Sequence, residues 1–364
     1  MKILHLNSNF LFSKLYENQI NNMSDEFEQI VYNPLRKQVE YNGDIKVYSP
    51  VNLSRLDSFL SFKRRNKSLK YLERKLNIKD INLTHAHTMT NDGILALKIK
   101  KKYNTPYILT LRNTDINYSL RYKRHLKNVF LNVILESKIV VFPNHSYKDR
   151  LLKIYNNNKK LELKLLNALV IPNGIDKIWL NNSCSTKKKI DDTKINVLFI
   201  ARIYPDKNLH NLLKAISRFN NIELTVVGSI IDQKYFDKIN EKYSFTYLGS
   251  KSKSELIKIM KDYQIFAMPS FKETFGLVYI EALSQNLPII HSKNEGVDKY
   301  FEDGQFGKSV TPNSVDSIIE ALKYIIKNYN QLQNNLSDKS FLNEFDWQNI
   351  GEFYSDLYIG EVNE

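Results

Sequence analysis

Along the first half of the chain, short apolar runs alternate with longer stretches whose apolar residues recur every three or four positions. The runs over 2–6, 81–85, 107–111, 138–142 and 169–172 have the length and continuous apolarity of strands buried on both faces. Between them, 92–103 and 117–135 carry helical spacing. The second half repeats the alternation, with strands predicted over 196–201, 223–227, 245–248, 264–268 and 288–291. A strand and helix alternation of this kind predicts an α/β protein of two open, doubly wound domains. The polar, aperiodic stretch 173–194, opened by Pro172-Asn173-Gly174, marks the boundary, which gives domains of 1–173 and 174–345. A last amphipathic helix is expected over 346–364, with Trp347, Ile350, Phe353, Tyr354 and Leu357 on its buried stripe.

Length and composition agree with that picture. The 364 residues suffice for two domains, and 42% hydrophobic with 25% charged residues excludes disordered and fibrous classes. The N-terminal MKILHLNSNF reads as a first strand, since no small-residue cleavage site follows it. No run of about 18 to 20 apolar residues occurs, so any membrane contact is expected to be peripheral. Cys184 is the single cysteine and cannot form an internal disulfide, which suits a reducing cytoplasm.

Charge adds a question about partners. Lys and Arg number 53 against 39 Asp and Glu, a net charge of +14 that implies an anionic partner. Basic residues concentrate in 63–75 and 121–127, interleaved with aromatics and leucines. Two readings fit them: contact with the inner face of an anionic membrane, or a solvated helix face. Nucleic acid is not expected, because no zinc module, aromatic RNA-binding signature or helix-turn-helix is present.

The chemistry concentrates at predicted strand ends. In MPSFKETFGLVYIEALSQNLP a strand runs into a loop and then a helix beginning near Phe275 or Gly276. The free N–H groups at such a helix start suit a phosphate ester at the carboxyl edge of an open sheet. Glu273 before that helix can accept from a sugar hydroxyl, and Glu281 two turns in can accept from ribose hydroxyls. Surface acids favouring a helix start are the plainer explanation of the pair. In IARIYPDKN, Arg202 and Lys207 flank a proline at another strand end, where two cations can bind a diphosphate and neutralise it as a leaving group. No Gly-x-Gly-x-x-Gly follows any strand, which argues against a dinucleotide-dependent dehydrogenase.

The ordered set of Arg202, Lys207, the Glu273 and Glu281 spacing, the hinge motif VIPNGID, the EGVDKYFEDGQFG loop and the closing FDWQNIGEFYSDLY helix resembles the retaining GT-B glycosyltransferases of family GT4. The resemblance is dense in the C-terminal half and weaker in the first. It implies two Rossmann-like domains facing a central cleft, the last helix returning to the N-terminal domain. A nucleotide-sugar donor, UDP- or GDP-linked, would be held by the C-terminal domain. A glycan or lipid-linked acceptor would be held mainly by the N-terminal one. Carried over by motif, Arg202 and Lys207 hold the diphosphate, and Glu273 contacts the donor sugar. The backbone of Thr274, Phe275, Gly276 and Leu277 lines sugar and phosphate, Glu281 takes the ribose, and Gly228 permits close approach to the nucleotide. Front-face departure of the diphosphate would retain the anomeric configuration without a metal. No Asp-x-Asp triplet occurs in the chain.

Two departures from the family pattern lie in the first half. Asn7-Ser8-Asn9 stands where relatives often have a Gly-Gly loop, which makes Asn7 and Ser8 candidates for the acceptor side of the site. YILTLRNTD ends on Arg112 where many relatives have a histidine. Arg112, with Asn113 and Asp115, is expected to bind a diphosphate or an anionic acceptor, or to form a buried ion pair with Asp115 that fixes the strand end. His85 and His87 share one strand face. His87 is expected to contact a sugar hydroxyl and His85 to lie in the core. A metal is discounted because no third ligand stands near them in sequence. A binding protein of this fold with little or no transferase activity is the alternative, motivated by these departures.

Overall fold

The computed structural model describes residues 1–51, 61–156, 158–191 and 193–363, the side chains of 61–65 and 363 excepted. These fall into two compact units, Met1–Asn173 with Trp347–Glu364, and Gly174–Asp346. Each is built on one parallel sheet.

In the first unit the strands are β1 (Lys2–Leu6), β2 (Glu28–Tyr32), β3 (Lys46–Tyr48), β4 (Leu83–Ala86), β5 (Tyr107–Thr110), β6 (Val140–Phe142) and β7 (Leu169–Val170), in sheet order β3-β2-β1-β4-β5-β6-β7. Chain order reverses between β1 and β4, whose register pairs His5 with His85. In the second unit β8 (Ile195–Ile200), β9 (Ile222–Val227), β10 (Thr246–Tyr247), β11 (Ile265–Ala267), β12 (Ile289–Ser292) and β13 (Gly307–Val310) lie in the order β10-β9-β8-β11-β12-β13. The reversal there falls between β8 and β11. Such switch points open a crevice at the carboxyl ends of the two strands. Both crevices are flanked by stretches that the sequence marked for chemistry.

The strands missed from the hydrophobic pattern are β2, β3 and β13. β2 opens on Glu28 and Gln29, while β3 and β13 are half-exposed edge strands of three and four residues. Edge position halves the need for apolar residues, so no continuous run forms. The helix expected over 117–135 is broken into a π-helical turn (Thr114–Ser119), a short turn of helix at Leu120–Tyr122, a 3-10 turn (Arg124–Leu126) and a helix over Lys127–Leu135.

The closing helix, Trp347–Asn363, packs on the first unit's sheet. Trp347, Ile350, Tyr354 and Tyr358 are buried with Ile3, Leu83, Ile108 and Val141. Phe353, expected on that stripe, is instead 48% exposed, and Tyr358 takes the buried position one turn on from Tyr354. Gly351 lets the helix backbone close on the chain: a Cβ there would stand 1.8 Å from the Asn22 carbonyl oxygen. Among the described residues no helix is long and apolar enough to cross a membrane.

Candidate functional site

In the second unit β8 delivers Ala201 and Arg202, and the 3-10 turn Pro205–Lys207 follows. Gly228, at the end of β9, has φ 141° and packs so closely that a Cβ would lie 1.8 Å from the Ala201 carbonyl oxygen. Only glycine allows the two loops to meet there. β11 leads into Ser270 and the loop that carries Glu273. The Asn208 side-chain amide donates to the carbonyls of Pro269 (2.8 Å) and Pro312 (2.7 Å), and Phe271 N–H donates to the Asp206 carbonyl (2.8 Å). Lys272 pairs with Asp206 at 3.1 Å. Two stretches some 66 residues apart are thereby tied into one structure.

Its centre is the ion pair of Lys207 with Glu273, both side chains nearly buried. Burial with only partial hydration strengthens the pair and holds both heads in place. Glu273 is positioned further by its backbone: its N–H donates to Glu295 Oε2 (2.9 Å) and its carbonyl accepts from Gly296 N–H (3.1 Å). Thr274 N–H donates back to Glu273 Oε1 at 3.1 Å. Gly276, at φ 78°, precedes the helix Leu277–Ser284 and gives it no side-chain cap, which leaves the helix start to a ligand. Phe275 is buried against Tyr300 and Phe345, so its ring belongs to the core and its backbone faces the loop. Arg202 is exposed, its guanidinium 6.0 Å from the Tyr204 ring centre. Glu281 is largely buried on the helix, and burial pushes its carboxyl up to about 7 against the pull of the Lys253 ammonium. Lys253 itself pairs with Asp176.

In the first unit the switch point is closed by carboxylate bonds. Ser8 Oγ donates to Asp92 Oδ1 (2.6 Å) and Thr88 Oγ1 to Asp92 Oδ2 (2.9 Å), so Asp92 clamps the loop after β1 to the loop after β4. Asn7 is fully buried, and its Oδ1 accepts from Asn9 N–H at 3.0 Å. Neither Asp92 nor Glu295 stood out in the sequence. Asp92 is an acid in a predicted helix start, and Glu295 had only its place in the quoted EGVDKYFEDGQFG loop.

Arg112 is 8% exposed, with its guanidinium 5.0 Å from the Tyr16 ring centre and Nη1 donating to Asn173 Oδ1 at 3.2 Å. Among the described residues Asp115 takes no part in a guanidinium ion pair; its Oδ2 accepts the Arg112 backbone N–H at 3.0 Å. That corrects the expected buried pair: the carboxylate caps the strand end through the main chain. Burial pushes the Asp115 carboxyl up to about 7, opposed by the N–H groups around it. Asn113 Oδ1 accepts from Asn117 at 2.6 Å.

His87, expected at a sugar hydroxyl, is fully buried. The third imidazole absent from its sequence neighbourhood arrives from the adjacent strand as His5. Gln29 Nε2 donates to the Ile20 carbonyl, so Gln29 Oε1 accepts from His5 Nε2–H at 3.0 Å. His5 Nδ1 therefore accepts from His87 Nε2–H at 3.1 Å, leaving a lone pair on His87 Nδ1 without a partner among the described residues. His85 is bonded at both nitrogens, to Tyr358 (2.5 Å) and Thr110 (2.8 Å). Burial lowers all three, His5 to about 4, with neighbouring imidazoles and Arg112 adding to the effect on His85 and His87.

The three rings place nitrogens within 4.8 Å of one another. They do not suit one ion. His85 and His87 are stacked with centres 4.0 Å apart and planes 24° apart, and lone pairs lie in the ring plane. Two such planes do not converge at the roughly 2.0–2.1 Å of a zinc–nitrogen bond.

The pattern assigned to glycosyl transferases group 1 matches residues 183–341. An uncharacterized glycosyltransferase of Methanocaldococcus jannaschii is 24% identical over 91% of this chain and 89% of its own length. Residues 183–341 thus form a glycosyl transferases group 1 region, and the protein is a glycosyltransferase. The alpha-monoglucosyldiacylglycerol synthase of Acholeplasma laidlawii is 25% identical to the transferase over 70% of this chain and 69% of its own. The solved structure of Anabaena HepE in complex with UDP superposes with a TM-score of 0.73 at 17% identity, covering 99% of the transferase and 100% of HepE, and carries the GT-B fold.

Proposed function

We propose that the transferase moves a sugar from a UDP- or GDP-linked donor to a hydroxyl of a glycan or lipid-linked acceptor, with retention and without a metal. The observation that carries this reading is the Lys207–Glu273 pair set beside an uncapped helix start at the β8–β11 switch point. Donor binding draws Lys207 and Arg202 onto the diphosphate, frees Glu273 for the sugar, and seats phosphate oxygens on the helix N–H groups. Glu281 accepts from the ribose. The anomeric C–O bond to the diphosphate breaks as the acceptor oxygen bonds the same face. A phosphate oxygen takes the acceptor's proton, and the cations stabilise the charge left on the nucleoside diphosphate. The UDP complex of HepE supports a nucleotide donor, and the glucolipid synthase supports a lipid-borne acceptor.

On the acceptor side we assign the first unit, through Asn7, Ser8 and Arg112 with Asn113. His87 acts there through its neighbours, since its ring is buried. The run over 121–127 supports peripheral contact with an anionic leaflet at the inner membrane face: Arg121 and Arg124 are exposed, as are Tyr118 and Tyr122, whose rings lie 5.0 Å apart. The other basic run has its residues 63–65 outside the described side chains.

The test is turnover of a panel of UDP- and GDP-sugars by wild type and by Glu273→Ala, with and without EDTA, and the product's anomeric configuration read by NMR. An inverted product, or activity abolished by EDTA, sinks the mechanism. Arg202→Ala is expected to lower kcat more than donor affinity, because leaving-group charge peaks in the transition state.

A further inference from the structure

We propose that a groove beside the loop after β1 is an acceptor subsite for an uncharged sugar ring, free or lipid-linked; this rests on the transferase reading above. The groove has a volume of about 510 Å³ and lies wholly within the first unit. One wall is the turn and helix that follow β1, carrying Phe12, Lys14 and Glu17; the other is the loop from Glu40 to Gly43. It begins three residues beyond Asn7, on the strand end where the acceptor is assigned.

Its walls are held. Leu11 N–H donates to Asn33 Oδ1 and Phe12 N–H to the Asn9 carbonyl, both at 3.0 Å, and the Phe10 ring packs edge-on against Tyr41 at 5.5 Å. Tyr41 hydroxyl donates to Glu17 Oε1 at 3.2 Å, joining the two walls. On this frame Phe12 stands 66% exposed, a large ring left in water beside carboxylates.

That combination selects its occupant. A sugar presents a C–H face that packs on an aromatic ring and hydroxyls that donate to carboxylates. The charge of the lining, Glu17 and Glu40 against Lys14, is net negative in a chain of net charge +14. The one ammonium among its described residues, that of Lys14, already bonds Glu17, at 2.5 Å. Among the described residues of this groove a phosphate or a uronate meets no unengaged cation, and two carboxylates repel it. The anionic partner implied by the overall charge is therefore bound elsewhere, and the acceptor's sugar here is uncharged.

The experiment is saturation-transfer NMR on the full chain with maltose, cellobiose and lactose, beside glucuronate and glucose 6-phosphate. Expected is a signal from at least one neutral disaccharide, none from the anions, an affinity loss of about tenfold in Phe12→Ala, and a smaller loss in Glu17→Gln. Phe12→Ala is expected to keep the melting temperature, because its ring is exposed. Absence of disaccharide binding, binding unchanged by Phe12→Ala, or tighter binding of the anions overturns the proposal. Donor binding is scored separately, by the melting-temperature shift with UDP- and GDP-sugars on the same samples. A protein that binds a donor but no disaccharide overturns the groove alone, and one that binds neither overturns both.

Discussion

At the switch point of the first unit the strands carry three neutral imidazoles, His5 bonded to His87 and His85 to Thr110 and the closing helix; at that of the second they lead into a lysine–glutamate pair. Both sit at the reversal of strand order in a parallel sheet. The histidines are fully buried: His5 and His85 are held by groups from β2, β5 and the closing helix, and His87 by His5. Lys207 and Glu273 retain some exposure, beside a helix start that no side chain caps. Equal topology thus serves two ends. The imidazoles of one crevice hold the fold together, and the charged pair of the other stays where a ligand can exchange for the partner.

The comparison breaks most visibly if the charged pair is removed. Glu273→Ala is expected to lower turnover by about 10²-fold or more, with a smaller cost in the urea midpoint from the nearly buried Lys207 ammonium left unpaired, because the carboxylate acts on charge at the site. His85→Ala is expected to do the reverse. It leaves Tyr358 and Thr110 without their buried partner and opens a cavity, costing about 2–4 kcal/mol in urea unfolding. A His85→Ala protein of unchanged stability contradicts the structural role of the imidazoles.

Acid sharpens the same contrast. The folded state holds His5, His85 and His87 below their ordinary range, so the unfolded chain binds more protons as pH falls beneath about 6.5. Their contribution is complete above that pH and is lost as pH falls below it, that of His5 between about 6.5 and 4. Asp115 and Glu281, raised to about 7, act oppositely: the folded state binds more protons between about 7 and 4 and is favoured by acid. Asp115→Asn removes one opposing group, so its melting temperature is expected to fall more steeply than wild type from pH 7 to 5. A shallower fall in Asp115→Asn contradicts the assignment. The smallest effect is at Glu295→Gln, which keeps an acceptor for the Glu273 N–H and weakens it; a few-fold drop in kcat with little change in donor KM is expected, read by steady-state kinetics.

Much of this was legible because parallel strands buried on both faces need continuous apolar runs, and central β1, β5 and β8 announce themselves that way. β3 and β13, on sheet edges, do not. Candidate residues at strand ends could be named singly. What could not be read was which of them meet. Glu273 and Lys207 are 66 positions apart, and His5 and His87 are 82 apart. Phe353 and Tyr358 differ too little in sequence environment to say which faces the sheet; the helix's rotation decides it, placing Tyr358 on His85.

By itself, then, the sequence determined the α/β alternation, the place of the boundary and the residue types at the strand ends, since periodicity and turn chemistry are local properties of the chain. Tertiary structure alone decided that the histidines are buried and bonded, that Asp115 caps a backbone instead of pairing with a guanidinium, and that Lys207 holds Glu273 at an open helix start. Those outcomes depend on desolvation and on distances between residues far apart in the chain, and both arise only when the strands are laid side by side.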